Sequence, residues 1–142
     1  MGDTPSKRVR YDNLLTPQDV ASAAEVSTNT GMYRSMAGYS HGVVIVTAHL
    51  ANTKTAIAQL TQSSAAAVAG KADVSGFTVT LTGTTAAPEQ VGCIDFNVED
   101  LTSAAAAKYF VGCDITTNGN GDDVGAVLAR HGGRHQESTM DV

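Results

Sequence analysis

Four histidines, two cysteines and a scatter of carboxylates are the side chains of this 142-residue chain best able to hold a metal or move a proton. His131 and His135 are four apart, a spacing that brings two imidazoles together on a helix. However, Gly132 and Gly133 lie between them, and no acidic partner completes a zinc pattern. The pair reads as part of an exposed tail. His41 and His49 flank an apolar run and read as rim or packing residues. Asp114, Asp122 and Asp123 bracket the stretch Asn118 to Gly121, and an oxygen-rich loop can hold calcium. The ordered spacing of a calcium-binding loop is missing, so a solvated turn is the better reading, and this loop is where an ion would be sought.

Nucleophilic catalysis needs a Ser or Cys, a base and an orienting acid. Ser and Thr are plentiful, yet there is neither a Gly-x-Ser-x-Gly elbow nor a phosphate-cradling glycine loop. Glu99 and Asp100 stand together at a strand end, where capping or solvation explains them. Cys93 and Cys113 fall in separate predicted strands and not in the close pairs that bind zinc. If those strands are neighbours, Ile94, Phe96 and Val98 face the same core as Tyr109, Val111, Cys113 and Ile115. Cys93 then lies on the opposite face from Cys113, which argues against a disulfide and for two reduced, small packing residues. The expectation is a protein that is not an enzyme and carries no metal or cofactor.

The elements around these residues read as an all-β protein. Between Tyr39 and Arg130 short strand-like runs follow one another without helices of crossover length, which suggests an antiparallel β-sandwich, Ig-like or jelly-roll-like. Gly42 to Leu50 is a near-continuous apolar run, as expected of a central strand buried on both faces. Lys54 to Gln62 alternates weakly, and the odd spacing of Ile57 and Leu60 predicts a bulge. Ala65 to Gly76 reads as a loop holding at most a short strand near Val68 or Val74. Phe77, Val79 and Leu81 alternate with Thr78, Thr80 and Thr82 in the cleanest half-buried strand of the chain. Val91 to Val98 alternates in the same way. Glu99 to Ala107 predicts one helical turn capped by Asp100. The last two strands are Lys108 to Thr117 and Asp122 to Arg130, with Asn118 to Gly121 between them as a hairpin signal.

Three segments follow: an N-terminal arm over 1–38, the sandwich over 39–130, and a polar C-terminal tail over 131–142. The arm is expected to be extended and partly helical. Thr16 can cap, Pro17 suits the first helical position, and Asp19 stands in the first turn, ahead of Val20, Ala23, Ala24 and Val26. So short a helix is marginal in water and needs a surface to lie on. Met32, Tyr33, Met36 and Tyr39 are adaptable contact residues, and two readings stay open for them: gripping another protein or folding back on this chain's own sandwich.

Composition narrows the partners. The net charge is −5, with the arm neutral: Lys7, Arg8, Arg10 and Arg34 balance Asp3, Asp12, Asp19 and Glu25. Lys7, Arg8 and Arg10 are the one basic cluster and read as a solvated terminus, so no nucleic-acid partner is expected. No apolar run reaches the roughly 18–20 residues that span a bilayer, and the start lacks the apolar segment of a signal peptide. The expectation is a soluble chain, made in a cytoplasm, with no membrane partner. With no Trp and three Phe, the core must be built mainly from Val, Ile, Leu and Ala, and oligomerisation would supplement it.

Five runs carry a family resemblance: Gly42 to Leu50 (GVVIVTAHL), Ala58 to Ser63 (AQLTQS), Cys93 to Leu101 (CIDFNVEDL), Lys108 to Ile115 (KYFVGCDI) and Asp123 to Arg130 (DVGAVLAR). Together they resemble the small virion proteins of tailed bacteriophages, of the capsid decoration or cement type. The likeness spans about residues 42–134 and consists of strand order and spacing. It implies a β-sandwich, often trimeric, on the outer surface of the capsid, assembled in the host cytoplasm, with the major capsid protein and its own copies as partners. On that reading the contact residues are Tyr11, Leu14, Leu15, Val20, Met32, Tyr33, Met36 and Tyr39. A tail, connector or fibre-base protein is the alternative within the virion. A glycan-binding sandwich is the alternative outside it, weakened by the absence of Trp platforms.

Overall fold

The computed structural model describes residues 9–20, 24–29, 31–65, 71–101, 110–119 and 122–132. Among these residues nine strands run in chain order: β1 (Val9–Val20), β2 (Glu25–Ser27), β3 (Arg34–Ser35), β4 (His41–His49), β5 (Thr55–Ser63), β6 (Ala72–Thr82), β7 (Glu89–Asn97), β8 (Phe110–Thr117) and β9 (Asp122–His131). They form two antiparallel sheets. The first has the order β1-β9-β4-β7, and the second β2-β8-β5-β6 with β3 also on β8. β2 and β3 act as two pieces of one broken strand, since they pair with Thr116 to Asp114 and with Val111 to Phe110. So read, the chain changes sheet at every connection but β5–β6, and its first strands lie beside its last. That is the winding of a jelly roll, which distinguishes between the two sandwich types the sequence left open.

The inner faces interlock in one core. Val44, Val46 and Leu50, Ile94 and Phe96, and Val124, Ala126 and Leu128 come from the first sheet. Ala56, Ala58 and Leu60, Leu81, and Val111, Cys113 and Ile115 come from the second. β4 is central as expected, lying between β9 and β7, but its burial alternates: Val43 and Ile45 point outward and are half-buried. The predicted bulge in β5 is present, as a register shift against β6 between Gln59 and Thr61. Thr78, Thr80 and Thr82 are exposed while Leu81 is buried, and Val74 belongs to the same long strand.

The arm is where expectation and structure part. Residues 9–20 are not an arm, and no helix starts at Thr16; they form β1, paired with β9 from Val9↔His131 to Val20↔Asp122. The described part of 1–38 therefore belongs to the sandwich, which begins at Val9 and not at Tyr39. Pro17 sits where the register slips between Leu15 and Gln18 on an edge strand, a place where a residue without an N–H costs no ladder bond. Burial of Leu14, Leu15 and Val20 outweighs the helix-start signal, as tertiary packing does for short segments. At the other end His131 still belongs to β9, and the tail expected beyond it lies outside the described residues from 133 on.

Two turns also differ. β8 and β9 do not pair, so the Asn118 to Gly121 connection crosses between sheets and is not a hairpin. A single turn of 3-10 helix covers Val98–Asp100, where the Asn97 backbone N–H donates to Asp100 Oδ2 at 2.7 Å. Asn97, and not Asp100, is therefore the N-cap residue, and Asp100 supports the start of the turn from the third position as the reciprocal half of a capping box. The continuation expected to Ala107 lies outside the described residues.

Candidate functional site

Among the described residues Asp114, Asp122 and His41 are tied into the fold and Cys113 is buried, whereas Asp123, His49 and Cys93 are exposed. Asp114 is buried on the outer side of β8 and accepts a hydrogen bond from Lys71 Nζ at 2.7 Å; Ser27 and Glu25 lie on the same ammonium at 3.3 and 3.8 Å. Burial works against the Lys71 ammonium, but the hydrogen bond and charge of Asp114 outweigh it and hold its pKa above the ordinary lysine value. Asp122 is buried at the start of β9 and accepts from the Ala51 backbone N–H at 3.2 Å, while Asn118 accepts from Thr55 N–H at 2.7 Å. Asp123 faces outward from the first sheet. The three acids around the supposed calcium loop therefore do not converge. Among the described residues no group of three or more His, Cys, Asp or Glu is placed to hold a metal.

The cysteines divide as the alternation implied, although they lie in different sheets. Cys93 is exposed and Cys113 buried, both as free thiols. Burial, reinforced by the charge of Asp114, pushes the Cys113 thiol up to about 12, far from the thiolate a nucleophile needs. His41 lies against Asp95 at 2.6 Å and meets the His131 ring edge-on at 4.4 Å, while His49 is exposed. His135 falls outside the described residues.

The eight residues assigned to capsid or subunit contact are dispersed by the structure. Leu14, Leu15, Val20, Tyr33 and Met36 are buried within this chain's own sandwich and cannot touch another molecule without unfolding it. Of the two readings left open for 32–39, folding back is the one observed. The Tyr33 ring lies over Gly112, where a Cβ would come within 2.6 Å of it, and its hydroxyl is 3.2 Å from Thr61 Oγ1. Burial raises the Tyr33 pKa above the ordinary phenol value, opposed in part by Thr61. Met36 sits beside Gly42 and Phe96. Tyr39 and Met32 are half-buried, and Tyr39 carries the Arg130 guanidinium 4.7 Å above its ring. Arg130 also pairs with Asp12 and donates to the Ser35 carbonyl at 2.5 Å, so one buried cation pins β1 and the β3 segment to β9. Tyr11 alone of the eight is largely exposed, at 64%.

Tyr11 marks a surface that alternation arguments about single strands did not reveal. Register across the first sheet places outward residues in rows: Tyr11, Ala129, Val43 and Asp95; then Asn13, Val127, Ile45 and Cys93; then Gly125, Thr47 and Val91. The middle of this outer face is therefore apolar, with Val91 67% and Val127 36% exposed. One end carries His131, His41 and Asn97, and the other carries Asp19, Asp123, His49 and Glu89. A shallow depression of about 290 Å³ at the acidic end is lined by Pro17, Thr47, Val91, His49, Glu89 and Asp123, among others. Strand pairing, which sequence periodicity does not give, is what joins these residues. The sequence signal that could have found them is the outward set of a central strand, Val43 and Ile45, being apolar when one face should be wet.

Neither a family model nor a curated protein sequence matches this chain. Solved structures do. The PBSX exported protein XepA superposes with a TM-score of 0.50 at 12% identity, over 87% of this chain and 37% of XepA. The infectious bursal disease virus VP2 gives 0.49 at 10% identity, over 89% of this chain and 33% of VP2. A broad bean stain virus chain gives 0.47 at 12% identity, over 93% of this chain and 89% of its own length. The likeness is one of fold. This chain spans about a third of the length of XepA and of VP2.

Proposed function

We propose that this chain is a structural protein of a virion: a decoration, or cement, protein that binds the outside of a tailed-phage head and bridges major capsid subunits, with no catalytic role. One observation carries the reading. Among the described residues Asp114, Asp122, Cys113 and His41 are engaged within the sandwich, while the outer face of the first sheet leaves an apolar band open on four paired strands. Exposed apolar surface of this kind marks contact with another polypeptide. The five runs that resemble decoration proteins fall largely on β4, β5, β7, β8 and β9, the strands that build this face and the sheet behind it.

The adhesive part is thus a sheet face and not a loose arm. Because β1 contributes Tyr11 to it, the N-terminal residues take part as framework as well as contact. The test is to add the purified chain to undecorated heads and count it in purified particles. Saturable binding at a copy number comparable to the major capsid protein is expected. A small fixed number per particle would point instead to a connector or fibre base, and absence of binding would end the proposal.

A further inference from the structure

The open face of the first sheet is apolar in the middle and acidic at one end. At that end register sets Asp19, Asp123, His49 and Glu89 in one row across all four strands, with Asp19 directly opposite Asp123. Like charges facing each other across a strand pair destabilise a sheet, so the row gains from a cation brought from outside. None comes from within. No ion pair among the described residues involves Asp19, Asp123 or Glu89, whereas Asp95, in the row of Tyr11, is met by His41 at 2.6 Å. Among the described outward residues of these four strands there is no Lys or Arg, since Arg10 and Arg130 gather around Asp12 on the other side of β1 and β9.

We propose that this face docks a segment of another polypeptide that is apolar along its contact side and carries Lys or Arg at one end, laid so that those bases meet Asp19, Asp123 and Glu89. Charge decides among the occupants that an apolar sheet face could take. A second copy of this chain brings the same carboxylates and no base on its matching face, so stacking two copies gains no charge match. The phosphates of a nucleic acid or of a lipid surface are repelled by the row. A basic and apolar polypeptide satisfies both the band and the acids, and opposite potentials across an interface also speed encounter.

The depression at the acidic end supplies the detail. At about 290 Å³ it is small for a small-molecule site, and its make-up suits a long basic side chain. Pro17 and Val91 offer apolar walls for the methylene stem, while Asp123 and Glu89 stand at the rim for the charged head. The row crosses three strand intervals of about 4.8 Å, or about 14 Å in all, which leaves room for two or three such heads. All of this rests on the reading of the face as polypeptide-binding, and it adds that the surface of the capsid protein meeting this face is basic where it covers β1 to β7 at the Asp123 end.

The experiment uses the full chain and no capsid, so its failure is separate from that of the particle-binding test. Two peptides of alternating valine and threonine, one ending in two lysines and the other in two glutamates, are titrated into the chain and followed by amide NMR shifts. The lysine peptide should shift Thr47, His49, Glu89, Val91 and Asp123, less so as salt is added, and the glutamate peptide should not. The triple variant Asp19→Asn, Asp123→Asn and Glu89→Gln should weaken binding of the lysine peptide by at least about tenfold. Asp73→Asn, at an exposed acid of the second sheet, should leave it unchanged. The triple variant removes like-charge repulsion within the sheet, so its fold should be kept, as checked by its thermal unfolding. Equal shifts with both peptides, shifts confined to other surfaces, no binding of the lysine peptide, or undiminished binding by the triple variant would each overturn the proposal. If the lysine peptide binds as expected while undecorated heads do not, the basic partner stands and the decoration role alone fails.

Discussion

The two sheets of this sandwich treat their outer faces differently. On the second sheet the chain covers itself. The segment from Thr28 to Met36 lies along β8, Tyr33 rests on Gly112, Thr28 bonds to the Cys113 backbone, and Lys71 closes over Asp114. Among the described residues, what stays uncovered there is mostly threonine, with Ile57 exposed among Thr80 and Thr116. On the first sheet the outer face is left more open: Tyr11, Val43, Ile45, Val91 and Val127 face outward, with Asp95 in the row of Tyr11 and Val43, and with Asp19, Asp123 and Glu89 at one end. The lesson is that a small residue under an aromatic ring marks a face closed by its own chain. A β-branched band left uncovered marks the face that we propose for contact with another polypeptide.

The sharpest way to break this contrast is to delete residues 1–38. That removes β1 to β3, and with them Leu14, Leu15, Val20, Tyr33 and Met36 from the core. We expect no folded domain to remain, seen as loss of amide dispersion in NMR spectra. A folded remnant would restore the picture of a detachable arm. Next in size is Arg130→Met, which leaves the largely buried Asp12 with the exposed Arg10 guanidinium at 3.5 Å in place of its buried partner and should cost about 3 kcal/mol in urea unfolding. Adding Asp12→Leu should recover most of it, since an apolar pair can replace a buried ion pair.

Alkaline pH probes the closed face and the core beneath it. The Cys113 thiol holds its proton in the folded state up to about 12, whereas the ordinary value is 9.0. Between those values the folded chain keeps a proton that the unfolded chain has lost. Its contribution is therefore whole below about pH 9 and declines as pH rises towards 12, by roughly 4 kcal/mol in the limit. Tyr33 and Lys71, both raised, act in the same direction. Cys113→Ala should flatten the fall measured by urea titrations from pH 8 to 11 (order-of-magnitude window from the same linkage).

Smaller still, Gly112→Ala should cost about 1–3 kcal/mol by driving a methyl group into the Tyr33 ring. At the bottom of the scale, Val91→Ser on the open face should change the chain's stability by less than about 0.5 kcal/mol while weakening its binding to undecorated heads. If Val91→Ser proved as costly as Gly112→Ala, the distinction between the two faces would fail.

Much of the strand content was readable beforehand, because period-two alternation survives wherever one side of a strand is buried. Phe77 to Thr82, Val91 to Asn97 and the bulge near Leu60 stand as the alternation implied. Two local signals misled. Thr16-Pro17 has the chemistry of a helix start, yet the same proline suits a slipped edge strand. Asn118 to Gly121 has the chemistry of a hairpin, yet it carries the chain from one sheet to the other. The contact surface was nearly invisible, since five of the eight residues chosen for it were apolar and were taken inward.

The order of apolar and polar residues along the chain by itself determined that this would be an antiparallel β protein, with Ile94, Phe96, Val111, Cys113 and Ile115 inside and Cys93 outside. Such patterning fixes which side of each strand avoids water, a property local to a few residues. Tertiary structure alone decided that the first strand lies against the last, that Arg130 locks them together, and that Tyr11, Val127, Ile45 and Val91 form one surface. Those are contacts between residues far apart in the chain, and pairing free energy across strands, not sequence spacing, selects among the registers that would make them.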